Sequence, residues 1–429
     1  MRAFFLTIVS VIITACAWAV LVYASVDQGW FHTSLAQSGN TQAFWSAARE
    51  KIQDGTKGNA AFILLQNKEI YNSHYQSTGP NVDGDTLFQV ASLSKWVSAW
   101  GVLSLVEQGK LSLDQPVSKY LSRWQLPESQ FDNQGVTVRK LLSHTAGLTD
   151  GLGYGGFLPG EEPQPLEASL SKASDASPGK DGRVMVGTEP GSSFAYSGGG
   201  YTLLQLLVEE VSGQSFNEYM KQNVFKPLGM DRTSYILDTS SEGNIAILYD
   251  EEGQPATHYK FTALAASSLY TSANDMARFI QAHFPAGSMN AGWNVLTPET
   301  LTLMRTPHAS ELGADIWGLG TILYASNNEG DFIAGHDGSN EPAINTTARY
   351  NPATGDGIII LETGNKLLAT EVAGEWVYWQ TGNIDLMLFS LMTENMINTI
   401  LLGWLILLLG TAIIFVRLVK SRNRKKRAA

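Results

Sequence analysis

The chain of 429 residues contains a single cysteine, Cys16, which lies inside an apolar segment near the N-terminus. The rest of the chain therefore has no disulfide framework, no thiolate metal site and no cysteine nucleophile. Histidines are also few, and those at positions 32, 74, 258, 283 and 308 lack the spacing of metal ligands. We therefore expect no metal site and no cofactor.

Charge is sparse and unevenly distributed. Charged residues make up 16% of the chain and the formal net charge is -11. Arg2 and the seven basic residues from Arg417 to Arg427 lie at ends that contain no acid. Removing those eight from the 29 Lys and Arg residues leaves 21 basic residues against 40 acids in the body of the chain. Such an acidic body argues against nucleic acid as a partner.

Two long apolar runs lie at the ends of the chain. Residues 4–24 follow the single Arg2, so the segment 1–25 is either a cleaved signal peptide or an N-terminal membrane anchor. Its length favours the anchor. Near the other end, the run 396–416 is uncharged and long enough to form a transmembrane helix. We expect contact with the lipid bilayer through these terminal segments.

The basic tail, residues 417–429, follows the second apolar run directly. Basic residues collect on the cytoplasmic side of membrane segments, so both the tail and Arg2 predict cytoplasmic ends. The body, residues 40–385, is therefore expected at the cell membrane on its extracytoplasmic side, periplasmic or external. A nucleic-acid or localisation function of the tail is the weaker alternative, because the tail abuts the apolar run.

Within the body, period-two alternation predicts a hairpin at 59–75 and further strands between 319 and 361. Helical periodicity dominates from about 100 to 285, and a closing helix is predicted at about 370–379. Residues 149–193 are rich in Gly, Pro, Ser and acids and are predicted to form a long surface loop. This order indicates an α+β domain with a mainly helical subdomain at about 100–285.

A candidate nucleophile lies at the start of an apolar helix. Ser92 and Lys95 are three residues apart, so on a helix they share one face. A lysine in that place can take the proton of a serine hydroxyl if its pKa is depressed. The residues that follow, Trp96–Val106, are apolar on nearly every side, which predicts a buried helix.

The five-residue sequence that contains this Ser–Lys pair occurs twice in the chain. Ala91–Lys95 is repeated word for word as Ala168–Lys172, and Ser177–Lys180 has the same Ser-x-x-Lys spacing. The later copies lie among Pro, Gly, Ser and acids, so we interpret them as loop sequence. The motif alone is therefore weak evidence for a catalytic site.

Three motifs in order strengthen the hypothesis: Ser92–Lys95, then Tyr196–Gly198, then His336–Gly338. Together they resemble the serine hydrolases of the class C β-lactamase and penicillin-binding-protein-like family. The resemblance covers about residues 57–382. It implies a β-lactamase/transpeptidase-like α+β fold, with an antiparallel sheet flanked by helices, a mainly helical subdomain and an active site at their junction. Terminal membrane segments would be added to that fold.

The resemblance also implies roles for the individual residues. Ser92 would be the acylated nucleophile, and Lys95 its base or proton relay. Tyr196 would be a second acid/base, provided that nearby cations lower its pKa towards neutrality. His336, which stands where many relatives have a lysine, would orient a substrate carboxylate or tune Tyr196.

The resemblance implies an oxyanion hole made by the backbone N–H groups of Ser92 and Ser339, with Gly338 allowing close approach of the strand. The chain departs from the family at Gly198, where the second motif usually has an asparagine that binds the substrate amide. This departure weighs against β-lactam hydrolysis more than against acyl transfer.

The sequence thus predicts a membrane-anchored serine hydrolase that forms an acyl-enzyme on Ser92 and acts on a peptide, amide or ester. A D-amino-acid peptide or a small ester is preferred to a β-lactam as the substrate. The alternative is a catalytically weak or inactive membrane protein of the same fold with a binding or regulatory role. The oligomeric state is left open.

Overall fold

The computed structural model describes residues 2–149, 153–237, 244–284 and 295–428. Two compact units are present: Leu35–Thr381 forms one, and Met1–Ser34 together with Gly382–Ala429 forms the other. Residues 150–152, part of the predicted glycine-rich loop, lie outside the described residues.

The larger unit is built on an antiparallel sheet of eight strands, in the order β2-β1-β12-β11-β10-β9-β8-β7. Strands β3–β6 form two small two-stranded sheets, β3 with β6 and β4 with β5. The strands are β1 (Ala60–Gln66), β2 (Glu69–Gln76), β3 (Phe88–Gln89), β4 (Leu248–Tyr249), β5 (Pro255–Ala256), β6 (Tyr270–Thr271), β7 (Ala309–Glu311), β8 (Ala314–Trp317), β9 (Ile322–Ser326), β10 (Phe332–Asn340), β11 (Ile344–Tyr350) and β12 (Gly357–Thr363).

Helices flank the sheet and fill the middle of the chain. They are α1 (Arg2–Asp27), α2 (Thr41–Gly55), α3 (Ser94–Glu107), α4 (Val138–Leu142), α5 (Leu166–Ser171), α6 (Gly198–Ser212), α7 (Phe216–Met220), α8 (Lys226–Leu228), α9 (Leu264–Ser267), α10 (Ala273–Gln281), α11 (Pro298–Met304), α12 (Leu368–Thr381) and α13 (Leu386–Ala428). Short 3₁₀ turns lie at Ala91–Leu93, Val117–Lys119 and Asn133–Gly135, and a π-helical turn at Lys221–Phe225.

The sheet is covered on both faces because its central strands are apolar on both sides. Ile63 of β1 and Ile359 of β12 belong to the large core that includes α3. On the opposite face, Phe62 of β1 stacks on Trp45 of α2, with ring centroids 4.5 Å apart. Successive side chains of a strand point to opposite faces, so the fully buried β1 and β12 each supply two apolar layers. The predicted α+β fold, with its flanked antiparallel sheet, is confirmed.

The smaller unit consists mainly of α1 and α13. By length and composition, Phe5–Asp27 and Leu386–Ser421 could each cross a membrane. The second helix is longer than the predicted span 396–416, and the helical backbone continues to Ala428, through most of the basic tail. Helix α1 covers the predicted segment 1–25 from Arg2 onward.

One local prediction is wrong. The second copy of the five-residue motif was expected in a loop, but Leu166–Ser171 is the short helix α5. It forms because the chain there packs inward: Leu170 is fully buried and the following Lys172 is exposed. The apolar contact comes from distant parts of the chain, which the local Gly- and Pro-rich composition does not reveal.

Candidate active site

Ser92 lies in the 3₁₀ turn Ala91–Leu93, which leads directly into α3. The turn is fixed by Ser94, whose Oγ donates to the Ala91 carbonyl at 2.5 Å and accepts from the Leu269 N–H at 3.0 Å. Ser94 is fully buried, whereas Ser92 is partly exposed. The first N–H groups of a helix have no partner within it, and the helix dipole is positive there. Of the two serines, only Ser92 is therefore accessible at this helix start.

Lys95 is buried behind Ser92, with 1% of its surface exposed. Its Nζ lies 3.2 Å from Ser92 Oγ and donates to the Ala266 carbonyl of α9 at 2.8 Å. The ammonium also lies 4.8 Å from the ring centroid of Tyr196. The structure thus brings together the first pair of predicted residues, and it adds the α9 carbonyl, which no sequence motif indicated. In the second copy, by contrast, Ser169 is buried and Lys172 is exposed.

Tyr196 completes the group around the serine. Its hydroxyl is hydrogen bonded to the Ser92 side chain. Burial raises the pKa of Tyr196 above its ordinary value of 10.0, although the bond to Ser92 opposes the rise. The condition attached to the acid/base role, a pKa lowered by nearby cations, is not met in the free protein, because burial has the largest effect on this pKa. With its pKa raised, the phenol is protonated in the free protein and can donate a hydrogen bond.

His144 holds the Tyr196 backbone on both sides. The Ala195 N–H donates to the His144 carbonyl at 2.8 Å, and the Ser197 N–H donates to His144 Nδ1 at 3.1 Å. The imidazole also packs on the Tyr196 ring, with centroids 4.4 Å apart. Burial, and then the charge of Lys95, hold the His144 pKa well below its ordinary value, so the ring is neutral and accepts the Ser197 bond. The contact of His144 with Tyr196 was not predicted from the sequence.

His336 lies on β10, an inner strand between β9 and β11. Its Nδ1 donates to the Asp337 carbonyl at 2.6 Å, which leaves Nε2 as the acceptor nitrogen of the neutral ring. Burial, followed by the charge of Lys95, lowers the His336 pKa to about 4. A neutral acceptor is poorly suited to a carboxylate, so this state disfavours the first of the two expected roles. Trp317 of β8 packs edge-on against the ring, with centroids 5.4 Å apart.

The next residue, Asp337, points to the opposite face of the sheet and anchors β10 there. Arg349 Nη2 donates to its Oδ2 at 2.8 Å, and the Tyr324 hydroxyl donates to Oδ1 at 2.7 Å. Burial opposes ionisation of Asp337, but the Arg349 charge and the bonds from Thr347 and Tyr324 together lower its pKa. A buried, hydrogen-bonded ion pair at this place fixes the backbone that carries His336.

Gly338 and Ser339 continue β10 past the serine turn. A Cβ atom on Gly338 would lie 2.0 Å from the Val90 carbonyl oxygen and 3.0 Å from the Leu93 nitrogen. Only glycine allows this approach of β10 to the turn that carries Ser92. Ser339 is exposed and pairs in register with Asn345 of β11. The predicted oxyanion-hole residues are therefore on neighbouring segments of backbone.

Gly198 opens α6, two residues after Tyr196. Ser197 caps that helix, since its Oγ accepts from the Gly200 N–H at 2.8 Å. Among the described residues, no cluster of three or more His, Cys, Asp or Glu side chains could hold a metal ion. The chemistry that the site offers is that of a serine hydroxyl, a lysine, a phenol and neutral imidazoles.

The chain is similar to known proteins of one family. The family model described as Beta-lactamase matches residues 41–382. The chain is 27% identical to penicillin-binding protein 4 of Amycolatopsis lactamdurans over 279 residues, which cover 62% of this chain and 69% of that protein. It is 33% identical to penicillin-binding protein 4* of Bacillus subtilis (strain 168) over 150 residues, 35% of this chain and 30% of that protein.

A solved structure described as a beta-lactamase/D-alanine carboxypeptidase from Pseudomonas syringae superposes with a TM-score of 0.60. The two chains are 18% identical, and the match covers 77% of this chain and 96% of that one. At this identity the likeness concerns the fold alone. The family model, in contrast, matches most of the chain. The chain therefore belongs to the β-lactamase family, whose members are serine hydrolases of the penicillin-binding-protein and class C β-lactamase type.

Proposed function

We propose that the protein is a serine hydrolase that forms an acyl-enzyme on Ser92. The observation that carries the proposal is the convergence of Lys95 Nζ and the Tyr196 hydroxyl on Ser92 Oγ. A nucleophile within hydrogen-bond reach of a base, at the positive end of a buried helix, has the geometry that acyl transfer requires.

Lys95 and Tyr196 have different roles because they transfer different protons. As Ser92 Oγ attacks a carbonyl carbon, its proton passes to Lys95, which must first release the proton that makes it the cation described above. Tyr196 is protonated in the free protein, so it donates to the leaving group rather than removing the first proton. The backbone N–H groups of Ser92 and Ser339 stabilise the developing oxyanion. Water then attacks the acyl-enzyme and gives a proton to the Tyr196 phenolate, and Ser92 Oγ regains its proton from Lys95 as the acid is released.

The substrate class is a peptide, amide or ester, with a D-amino-acid peptide or a small ester preferred to a β-lactam. Gly198 supports this preference, because it offers no side chain to bind the amide that β-lactams carry.

We further propose that both terminal helices anchor the enzyme in a membrane, with the body on the extracytoplasmic side. Helices α1 and α13 pack through reciprocal indole contacts: Trp18 Nε1 donates to the Thr399 carbonyl at 3.4 Å, and Trp404 Nε1 donates to the Ala15 carbonyl at 3.0 Å. A Cβ on Gly403 would lie 2.0 Å from Trp18 Nε1. Small residues at such contacts are typical of helix pairs in membranes. This packing favours the retained anchor over the cleaved signal peptide.

The test of catalysis is hydrolysis of a panel of small esters by the full chain in detergent. Lys95→Ala is expected to lower kcat/KM by about 10²–10⁴, the usual contribution of a general base. Lys172→Ala is the matched control, because Lys172 ends the identical five-residue sequence. Equal activity of the two variants would refute the role of Lys95.

The second candidate is a membrane protein that binds a ligand without turnover. Gly198 favours it, since the loss of the family's asparagine removes one substrate contact. Intact Ser92, Lys95 and Tyr196 in bonding contact weigh against it. Ester hydrolysis that is abolished by Lys95→Ala would exclude this candidate.

A further inference from the structure

The place where the family's asparagine side chain would lie is filled by an aromatic ring. A Cβ atom on Gly198 would lie 2.8 Å from Cε2 and 3.3 Å from Cδ2 of Tyr154. The first distance is shorter than real Cβ contacts. A side chain at position 198 and the present position of the Tyr154 ring are therefore incompatible.

Tyr154 is held firmly, so the ring cannot simply move aside. It is 6% exposed and forms an isolated antiparallel bridge with Ala176. The preceding Gly153 carbonyl accepts from Ser177 Oγ at 2.7 Å and from the Ser177 N–H at 3.1 Å. The following Gly155 N–H donates to the Asp175 carbonyl at 2.6 Å. The backbone is thus fixed on both sides of the ring.

The far end of the ring is also fixed. Thr202 Oγ1 lies 3.4 Å from the Tyr154 hydroxyl and 3.1 Å from the Gly198 carbonyl, and Thr202 is fully buried. Thr202 is one turn after Gly198 on α6, so the phenol lies along the first turn of that helix. The ring presents carbon atoms, not an amide, beside Gly198.

We propose that Tyr154 is a specificity-determining residue that excludes acyl donors with an acylamino group next to the reacting carbonyl. Such a group would place its amide against the ring, and a buried amide without a hydrogen-bond partner is costly. The substrate class is then a plain acyl ester, in preference to a peptide or a β-lactam. This inference rests on the proposed hydrolase function and narrows its substrate.

The test compares two esters of the same thiol, one of pentanoic acid and one of N-acetylglycine, which have acyl chains of equal length. The full chain is expected to hydrolyse the pentanoyl thioester with a kcat/KM about tenfold or more higher, the effect of one unsatisfied amide. Tyr154→Ala opens the position and is expected to move this ratio towards N-acetylglycine by about tenfold. The double variant Tyr154→Ala/Gly198→Asn adds the amide donor and is expected to move it further.

Tyr219→Ala is the control, because Tyr219 is also a buried tyrosine packed on a helix glycine, Gly101. It is expected to lower the thermal unfolding temperature and leave the substrate ratio unchanged. Gly198→Asn alone is expected to lower the unfolding temperature. The double variant Tyr154→Ala/Gly198→Asn is expected to recover part of that loss. This coupling is measurable without any activity.

The outcomes separate the two proposals. If a fluorophosphonate labels Ser92 but Tyr154→Ala leaves the ratio of the two kcat/KM values unchanged, the role of Tyr154 is overturned. The hydrolase function would stand. A wild-type preference for the N-acetylglycyl thioester, or independent effects of the two substitutions on unfolding temperature, would overturn it as well. Failure of any ester to turn over, with Ser92 unlabelled, would instead refute the hydrolase function, and the inference that rests on it would fall too.

Discussion

Glu362 gives the protein a pH-dependent stability that one substitution should remove. The residue is fully buried on β12, and Thr56 Oγ1 donates to its Oε1 at 3.0 Å. Burial raises the pKa of Glu362 from 4.5 to about 8, against the opposing bond from Thr56. The folded protein therefore holds a proton on this carboxyl across a pH range in which the unfolded chain has lost it.

The sign and size of the effect follow from proton linkage. Between pH 4.5 and about 8 the folded state binds one proton more than the unfolded state at this site, so stability falls as pH rises. The interval is about 3.5 pH units, and each unit corresponds to about 1.36 kcal/mol, which gives a loss of about 5 kcal/mol. The contribution is complete below pH 4.5 and is lost as pH passes through about 8.

The substitution Glu362→Gln keeps the shape and the acceptor for Thr56 but removes the titration. The free energy of unfolding should be measured by denaturant titration of the full chain in detergent from pH 5 to 9. The variant is expected to lose most of the slope and to exceed the wild type in stability at pH 8. Glu69→Gln, on an exposed part of β2, is the control. A wild type and a Glu362→Gln variant with parallel pH profiles would refute this reasoning.

Three further predictions concern the site and the membrane helices. Tyr196→Phe should lower kcat/KM for esters by about 10²–10⁴ with little change in unfolding temperature, and equal rates would contradict its acid role. Gly338→Ala should destabilise the fold by about 1–3 kcal/mol and abolish activity. Gly160→Ala is the control, because a Cβ there would meet no atom within 4 Å, and it should change neither stability nor activity. Gly403→Leu should speed hydrogen exchange of α1 amides in micelles, read by mass spectrometry, and Gly410→Leu, with open space around it, should not. Equal exchange in these two variants would argue against the helix pair.

Local patterns were sufficient for the parts of the site that lie close together in the sequence. Ser92 and Lys95 are three residues apart before an apolar stretch, so their contact follows from helix geometry and burial alone. The alternation of apolar residues likewise predicted the β1–β2 hairpin, which the structure has at Ala60–Gln76. The family resemblance then brought Tyr196 and His336 to the same place, although no local pattern connects them with Ser92.

The parts that could not be predicted depend on contacts between distant segments. The 149–193 segment was expected to be a surface loop, yet Tyr154 is buried because its chain bonds to residues about twenty positions later. The acid/base role of Tyr196 was made conditional on a lowered pKa, but the pKa is raised because the ring is buried, with His144 and Trp317 packed against it. The unusual Gly198 was the single sequence signal that pointed towards Tyr154. Gly198 shows that the family's asparagine side chain is missing, and only the structure shows that the Tyr154 ring fills its place.

The central claim is that Ser92, and not its counterpart in the repeated motif, becomes acylated. The direct measurement is peptide mapping by mass spectrometry after the full chain is incubated with a fluorophosphonate. The structure predicts one adduct on Ser92, which disappears in Ser92→Ala and persists in Ser169→Ala, the substitution at the equivalent serine of the second copy. An adduct on another residue, or one that survives in Ser92→Ala, would contradict the account.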